Sequence, residues 1–221
     1  MVLVDLGFVT RTTARRLQQA GLDFTDLRAA CVTLLDCDHF GPSWLTVLAD
    51  LSIRLWVHHW HLPVLAKLPH AGPLFAKGLV ETFDRDTFDV LPGGELRAGG
   101  CGVQHDRQKR CPTASLTRAA LASVTPPISA TPRILIPHLA GVDVLCIESN
   151  HNPRMTTHCS RPSFVNRRNL SDSGHLSDEQ DLEAVRHIAA LSPRGIPERI
   201  VSCHVLPSGW RPERGLRGCC V

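Results

Sequence analysis

The segment Val32-Thr33-Leu34-Leu35-Asp36-Cys37-Asp38-His39-Phe40 joins two kinds of chemistry in nine residues. It begins inside an apolar, β-branched run, Ala29 to Leu35, that reads as a buried strand. It then turns acidic. Asp36, Asp38 and His39 put two carboxylates and an imidazole within four residues. They fall just past the C-terminal end of a strand, where ligands gather in α/β sheets. Carboxylate together with imidazole suits zinc, manganese or iron. Taken alone, a solvated loop in which Asp36 or Asp38 caps the next helix is the simpler reading.

The neighbouring sequence supplies the layers around such a strand. Val2 to Val4 reads as a strand, and Asp5-Leu6-Gly7 turns into a helix capped by Thr10 and closed by Gly21 at C′. Ser43 is placed to cap a short helix through Leu48, and Ile53 to Val57 reads as another strand. Strand–helix–strand alternation with short connections predicts an α/β layered fold. Phe83, Phe88 and Val90 lie in short strand-like pieces around Pro92-Gly93-Gly94, and Gly99 to His105 reads as one strand running into Asp106. Gly141 to Glu148 is a strong buried strand, followed by the loop Ser149-Asn150-His151-Asn152-Pro153. Ser177 and Gln180 form a capping box for a helix whose apolar face is Leu182, Val185, Ile188, Ala189 and Leu191. Pro197 to His204 reads as loop and strand. His105-Asp106 and Cys203-His204 therefore repeat the strand-end pattern of His39.

Composition narrows the class. The chain has 221 residues, 43% hydrophobic and 20% charged, which excludes disordered, collagenous and coiled-coil chains. A net charge of +3 implies neither nucleic acid nor membrane by itself. The nine cysteines are odd in number, irregular in spacing and contain no C-x-x-C pair, against a disulfide framework or a zinc ribbon. The N-terminus has no basic leader pattern and no apolar run approaches a membrane span, so a soluble cytoplasmic protein is expected. There are 12 His and 16 Pro but no Tyr. Trp56, His58, His59, Trp60 and His61 form a cluster that could stack a base; a strand end leading into a helix, with the tryptophans half-buried, is the simpler account.

The order of these pieces resembles the metallo-β-lactamase superfamily, and within it the small single-domain hydrolases related to bacterial exonucleases and phosphodiesterases. The matching segments are Val2 to Gly7, Val32 to Phe40, His105-Asp106, Ile147 to Met155 and Gly174 to Gln180. The resemblance implies an αββα sandwich over residues 1–221 as a single domain, N-terminally truncated and irregular in the middle. It implies a site for one or two zinc or manganese ions, with Asp36, Asp38, His39, His105 and His204 as ligands. Asp38 would orient or deprotonate the attacking water. Glu148, Asn150, His151 and His175 would support the ligands or face the substrate. The substrate implied is a nucleic acid or another phosphodiester, with no membrane or protein partner.

Three features depart from the family pattern. Leu34 stands where the family's loop, Thr-His-x-His-x-Asp-His or its variant Thr-His-Leu-Asp-x-Asp-His, has its first histidine. The bridging aspartate of Gly-Tyr-Ala-Thr-Asp-x-Gly is missing between His105 and Val142, and Asn152 stands where the family usually has Asp. The stretch from Gln108 to Thr131, rich in Ala, Ser, Thr, Pro and Arg, has no period. One permitted codon choice for Ala122 to Pro132, read from its third base, spells Val-Gly-Tyr-Ala-Thr-Asp-Leu-Gly-His-Ala. Residues 108–131, and less strongly 205–221, are therefore read as translated out of frame. Three functions follow: a metal-dependent phosphodiester hydrolase with an impaired dinuclear site, a non-catalytic remnant of one, or a zinc-binding interaction module. The last lacks paired ligand spacing.

Overall fold

The computed structural model describes residues 1–37, 39–84, 87–94, 96–100, 103–105, 108–110, 114–116, 136–137, 139–157, 163–170 and 176–203. Asp38, His175, His204, most of residues 108–131 and all of residues 205–221 lie outside them. The chain divides into two compact units, Met1–Glu95 and Leu96–Arg211.

The first unit is built on a parallel sheet in the order β1 (Val2–Val4), β2 (Ala29–Val32), β3 (Arg54–His58) and β4 (Val80–Phe83). Helices α1 (Thr10–Gln19) and α2 (Trp44–Asp50) make the first two crossovers. The short helices α3 (Leu62–Leu65) and α4 (Gly72–Ala76) make the third. A parallel strand covered on both faces has no polar side, and all four residues of β2 are buried. Trp44, Leu45, Leu48, Leu55, Val57, Leu65 and Leu74 fill the core around it, each with no measurable exposure. The Trp44 indole donates to Phe8 O at 2.8 Å, so its one polar atom is satisfied.

Two boundaries and one cap bond differ from expectation. Val9, not Thr10, is the N-cap of α1; its extended backbone turns its carbonyl to the N–H groups of Thr12 and Thr13. The helix ends as expected at Gly21, whose φ of +71° lets Gly21 N–H reach Gln18 O and Leu22 N–H reach Leu17 O. Ser43 holds the cap position of α2 but makes no side-chain cap bond. Strand β2 stops at Val32, short of Leu35, because the Thr33 N–H is taken by the Asp5 carboxylate at 2.8 Å. After β3 the chain enters a 3-10 turn, His59–His61, as the strand-to-helix reading expects. The unit closes with β5 (Thr87–Asp89), near which Val90 is buried.

The second unit contains β6 (Arg97–Gly100), β7 (Val103–His105), β8 (Gln108–Arg110) and β9 (Ala114–Leu116). The single strand expected from Gly99 to His105 is two strands, because its halves have different partners: β6 pairs with β9 and β7 with β8, both antiparallel. Strand β10 (Val144–Glu148) pairs in parallel with β11 (Arg199–Cys203). Between them come α5 (Pro153–Thr157), α6 (Ser163–Asn169) and α7 (Asp178–Leu191). The capping box of α7 is present: Ser177 Oγ accepts from Gln180 N–H, and Gln180 Oε1 accepts from Ser177 N–H. Its buried stripe is Asp181, Ala184, Val185 and Ile188, an i, i+3, i+4, i+7 set. Leu182 is off that stripe and Leu191 is the helix's last residue; both are exposed, which corrects the predicted face. Ile136, Leu139, Leu145, Ile147 and Leu176 complete this core. Among the described residues no helix is long and apolar enough to cross a membrane.

Candidate metal centre

The loop after β2 is organised by a residue from the end of β1. Asp5 adopts φ +59°, a left-handed conformation that Asp tolerates better than most residues. Its N–H still reaches Cys31 O at 2.8 Å, so the backbone stays in the sheet while the side chain turns over the β2 end. There the carboxylate accepts from Thr33 N–H at 2.8 Å, from Thr33 Oγ1 at 2.9 Å, and from His39 Nδ1 at 2.8 Å. The turn is closed by Asp36 O, which accepts from the N–H groups of His39 and Phe40. Leu6 N–H donates to His39 O, and Gly41 N–H returns to Leu6 O. His61 Nε2 lies 3.2 Å from Thr33 O and braces the other side.

This wiring fixes the histidine's chemistry. A carboxylate only accepts, so Nδ1 of the buried His39 carries the ring proton. Its Nε2 is then the nitrogen with a lone pair. Carboxylate-oriented imidazoles of this kind are what metal-binding histidines use. With Asp36 half-buried in the same turn, the donor set fits zinc or manganese. Cys31, beneath the turn, adds nothing as a thiolate. Burial, and then the Asp5 charge, push its thiol up to about 12. Leu34 is buried, and a leucine offers no lone pair.

The remaining expected residues fall in the second unit. His105 ends β7, and Glu148 ends β10 opposite Cys203. Asn150 and His151 are buried and held by backbone pairing: Asn150 N–H donates to Leu176 O, and Asp178 N–H donates to His151 O. Asn152 caps α5 through Oδ1, which accepts from Arg154 and Met155 N–H groups. That is a task Asn and Asp perform equally well. Asp143 is engaged with Arg194 at 2.6 Å. The structure places Asp36 and His39 in one turn, joined by the bond from His39 N–H to Asp36 O. It adds Asp5, to which the sequence reading gave no role, although a carboxylate directly after a short apolar strand was its available signal.

Comparison with solved structures agrees with this topology. The structure of Zn2+-bound PqqB from Methylobacterium extorquens superposes with a TM-score of 0.63 at 17% identity, covering 92% of this chain and 70% of that one. The metallo-β-lactamase fold protein YhfI from Bacillus subtilis superposes with a TM-score of 0.60 at 12% identity, covering 92% of this chain and 74% of that one. The chain has the metallo-β-lactamase fold. No protein-family model matches it. In sequence the metallo-β-lactamase-fold chain is 29% identical over 187 residues to a protein named exodeoxyribonuclease YycJ from Bacillus anthracis. That match covers 80% of this chain, and this chain spans 65% of the relative's length.

Proposed function

We propose that the chain is a metal-dependent hydrolase directed at phosphodiesters, nucleic acid foremost, with an incomplete dinuclear site. The observation that carries this reading is the Asp5–His39 pair at 2.8 Å, which holds an imidazole in the tautomer a metal needs. The likeness to a protein named as an exodeoxyribonuclease supports the substrate class. Asp36, Asp38 and His39, with His105 and His204, would hold zinc or manganese. Bound there, such ions supply an acidified water and a counter-charge for the pentavalent transition state. Of the chain's own residues, Asp38 accepts the proton of the attacking water. Asp5 fixes the orientation and tautomer of His39, and Thr33 holds Asp5. A cytoplasmic setting belongs to the same proposal.

A second reading, a non-catalytic remnant, is favoured by Leu34. It is buried at 4% exposure in the position of the first loop histidine, so that donor cannot be recovered by a rotamer change. Metal titration of the purified chain, with bis(p-nitrophenyl) phosphate as substrate, separates the two. Turnover that depends on bound Zn2+ or Mn2+ supports the hydrolase; a folded chain without turnover at saturating metal supports the remnant. Leu34→His alone is expected not to restore turnover, because the bridging carboxylate stays missing. Residues 108–131 and 205–221 remain proposed as out-of-frame translation, and the codons of the gene test this directly.

A further inference from the structure

The end of β3 carries a histidine that the candidate metal centre does not use. His58 is fully buried. Its Nδ1 accepts the Trp60 backbone N–H at 3.2 Å, so the neutral ring carries its proton on Nε2. That Nε2 is buried without a hydrogen-bond partner. Asp84 Oδ1 stands off at 3.5 Å, too far for a good N–H···O bond. A buried polar atom left unsatisfied costs about 1–3 kcal/mol and asks for a ligand or a reason.

Strand register brings two more donors to the same place. His58 pairs with Phe83 across the parallel β3–β4 ladder, so His59 and Asp84 leave the sheet at the same end. His59 Nδ1 is 3.8 Å from the same Asp84 Oδ1. The His58 and His59 ring centroids are 4.4 Å apart, and the three donor atoms all lie within 4.8 Å of one another. Tetrahedral zinc with bonds of about 2.0–2.1 Å holds its donors about 3.3–3.4 Å apart. The observed 3.5 and 3.8 Å exceed that by a few tenths of an ångström, while being too long for the hydrogen bonds that would otherwise explain them.

We propose that His58, His59 and Asp84 form a zinc site at the common end of β3 and β4, with water in the fourth position. Two imidazoles and one carboxylate are a zinc donor set. His58 is the rigid buried anchor, and the side chains of His59 and Asp84, 46% and 65% exposed, leave the outer face open. Coordination through His58 Nε2 moves the ring proton to Nδ1, so His58 releases none. It also ends the 3.2 Å cap bond and sets Nδ1–H against Trp60 N–H, so the turn must give at Trp60 when zinc binds. The site shares no ligand with the turn after β2 and does not rest on the hydrolase reading.

The test uses the full chain carrying Asp36→Asn and Asp38→Asn, which weaken the turn site. This background is expected to bind one equivalent of Zn2+. Co2+ in its place should give the visible absorption of tetrahedral coordination, and Zn2+ should shift the Trp60 amide and His58 ring nitrogen resonances. His59→Ala and Asp84→Asn change exposed side chains and leave the core intact. Each is expected to weaken zinc binding about 100-fold, at or beyond the top of the about 10–100-fold range typical of supporting groups. Zinc binding unchanged by both substitutions, or no binding in the background with the fold intact, overturns the proposal.

Discussion

Asp5→Asn separates orientation of His39 from the mere presence of a polar side chain. Asn is nearly isosteric and tolerates the φ of +59° found at this position. Its one oxygen can still accept from Thr33 N–H, the bond now 2.8 Å long. Its amide NH2, however, would meet His39 Nδ1, where the carboxylate oxygen lies at 2.8 Å. Two donors cannot share that contact, so the ring proton must move to Nε2, the nitrogen a metal requires. A hydrogen bond to a charged group contributes about 1.5–3 kcal/mol, so the loss of stability is about 2–3 kcal/mol. Metal affinity at the turn should fall about 10–100-fold, as for other lost supporting carboxylates. Urea denaturation in chelator reads the first quantity and zinc titration the second. Long-range proton–nitrogen correlation spectra report the tautomer of His39 whether or not metal binds. Thr33→Val is the control, since it removes an Asp5 partner and only a long 3.4 Å contact to His39 Nδ1, while the Asp5–His39 bond stays. A folded Asp5→Asn chain whose His39 keeps its proton on Nδ1 and whose zinc affinity is unchanged would refute the reasoning.

Further outcomes follow from the packing and the ionisable groups. Trp44→Ala empties the centre of the first core and strands the Phe8 carbonyl, so urea denaturation should show a loss of about 3–5 kcal/mol. Burial, then the nearby His59, lower His58 from its ordinary range to about 4. The unfolded chain therefore takes up this proton near pH 6.5 while the native chain refuses it until about 4. The sign is fixed by that order: stability is whole above pH 6.5 and falls by about 3 kcal/mol as the pH drops through 4. Urea midpoints in chelator at pH 7 and 4 should differ less in a folded His58→Gln chain than in the parent. Ser177→Ala removes one half of the α7 capping box and should cost about 1 kcal/mol, read by thermal melting.

The elements that could be read from sequence were those with a single explanation. The β2 run is apolar on both faces because a parallel strand is covered on both, and its pattern says so directly. Gly21 and the Ser177–Gln180 box are local devices written in local residues. What escaped depends on partners distant in the chain. Strand β2 ends early because a carboxylate 28 residues away takes its next N–H. The Gly99–His105 run splits because its two halves pair with different strands. The α7 face was misplaced because Leu182 looks like core, yet the stripe centred on Ala184 and Ile188 faces inward and excludes it.

The site divides in the same way. Asp36 and His39 announce themselves by spacing, but Asp5 offers only its place after a short apolar strand, which does not say what it supports. The His58–His59–Asp84 cluster is invisible until the β3–β4 register sets Asp84 beside the two histidines. Residue type and spacing can name ligands on one loop. They cannot name a group delivered across a sheet.

Anomalous diffraction at the zinc edge, from crystals of the full chain grown with Zn2+, interrogates the turn after β2 without any assay of turnover. The expected map has a peak about 2.0–2.1 Å from His39 Nε2 and in reach of the Asp36 carboxylate, with Asp5 still on Nδ1. A map from ordered, zinc-loaded crystals with no peak at His39, or with His39 bonded through Nε2 to protein alone, would contradict the metal-centre reading.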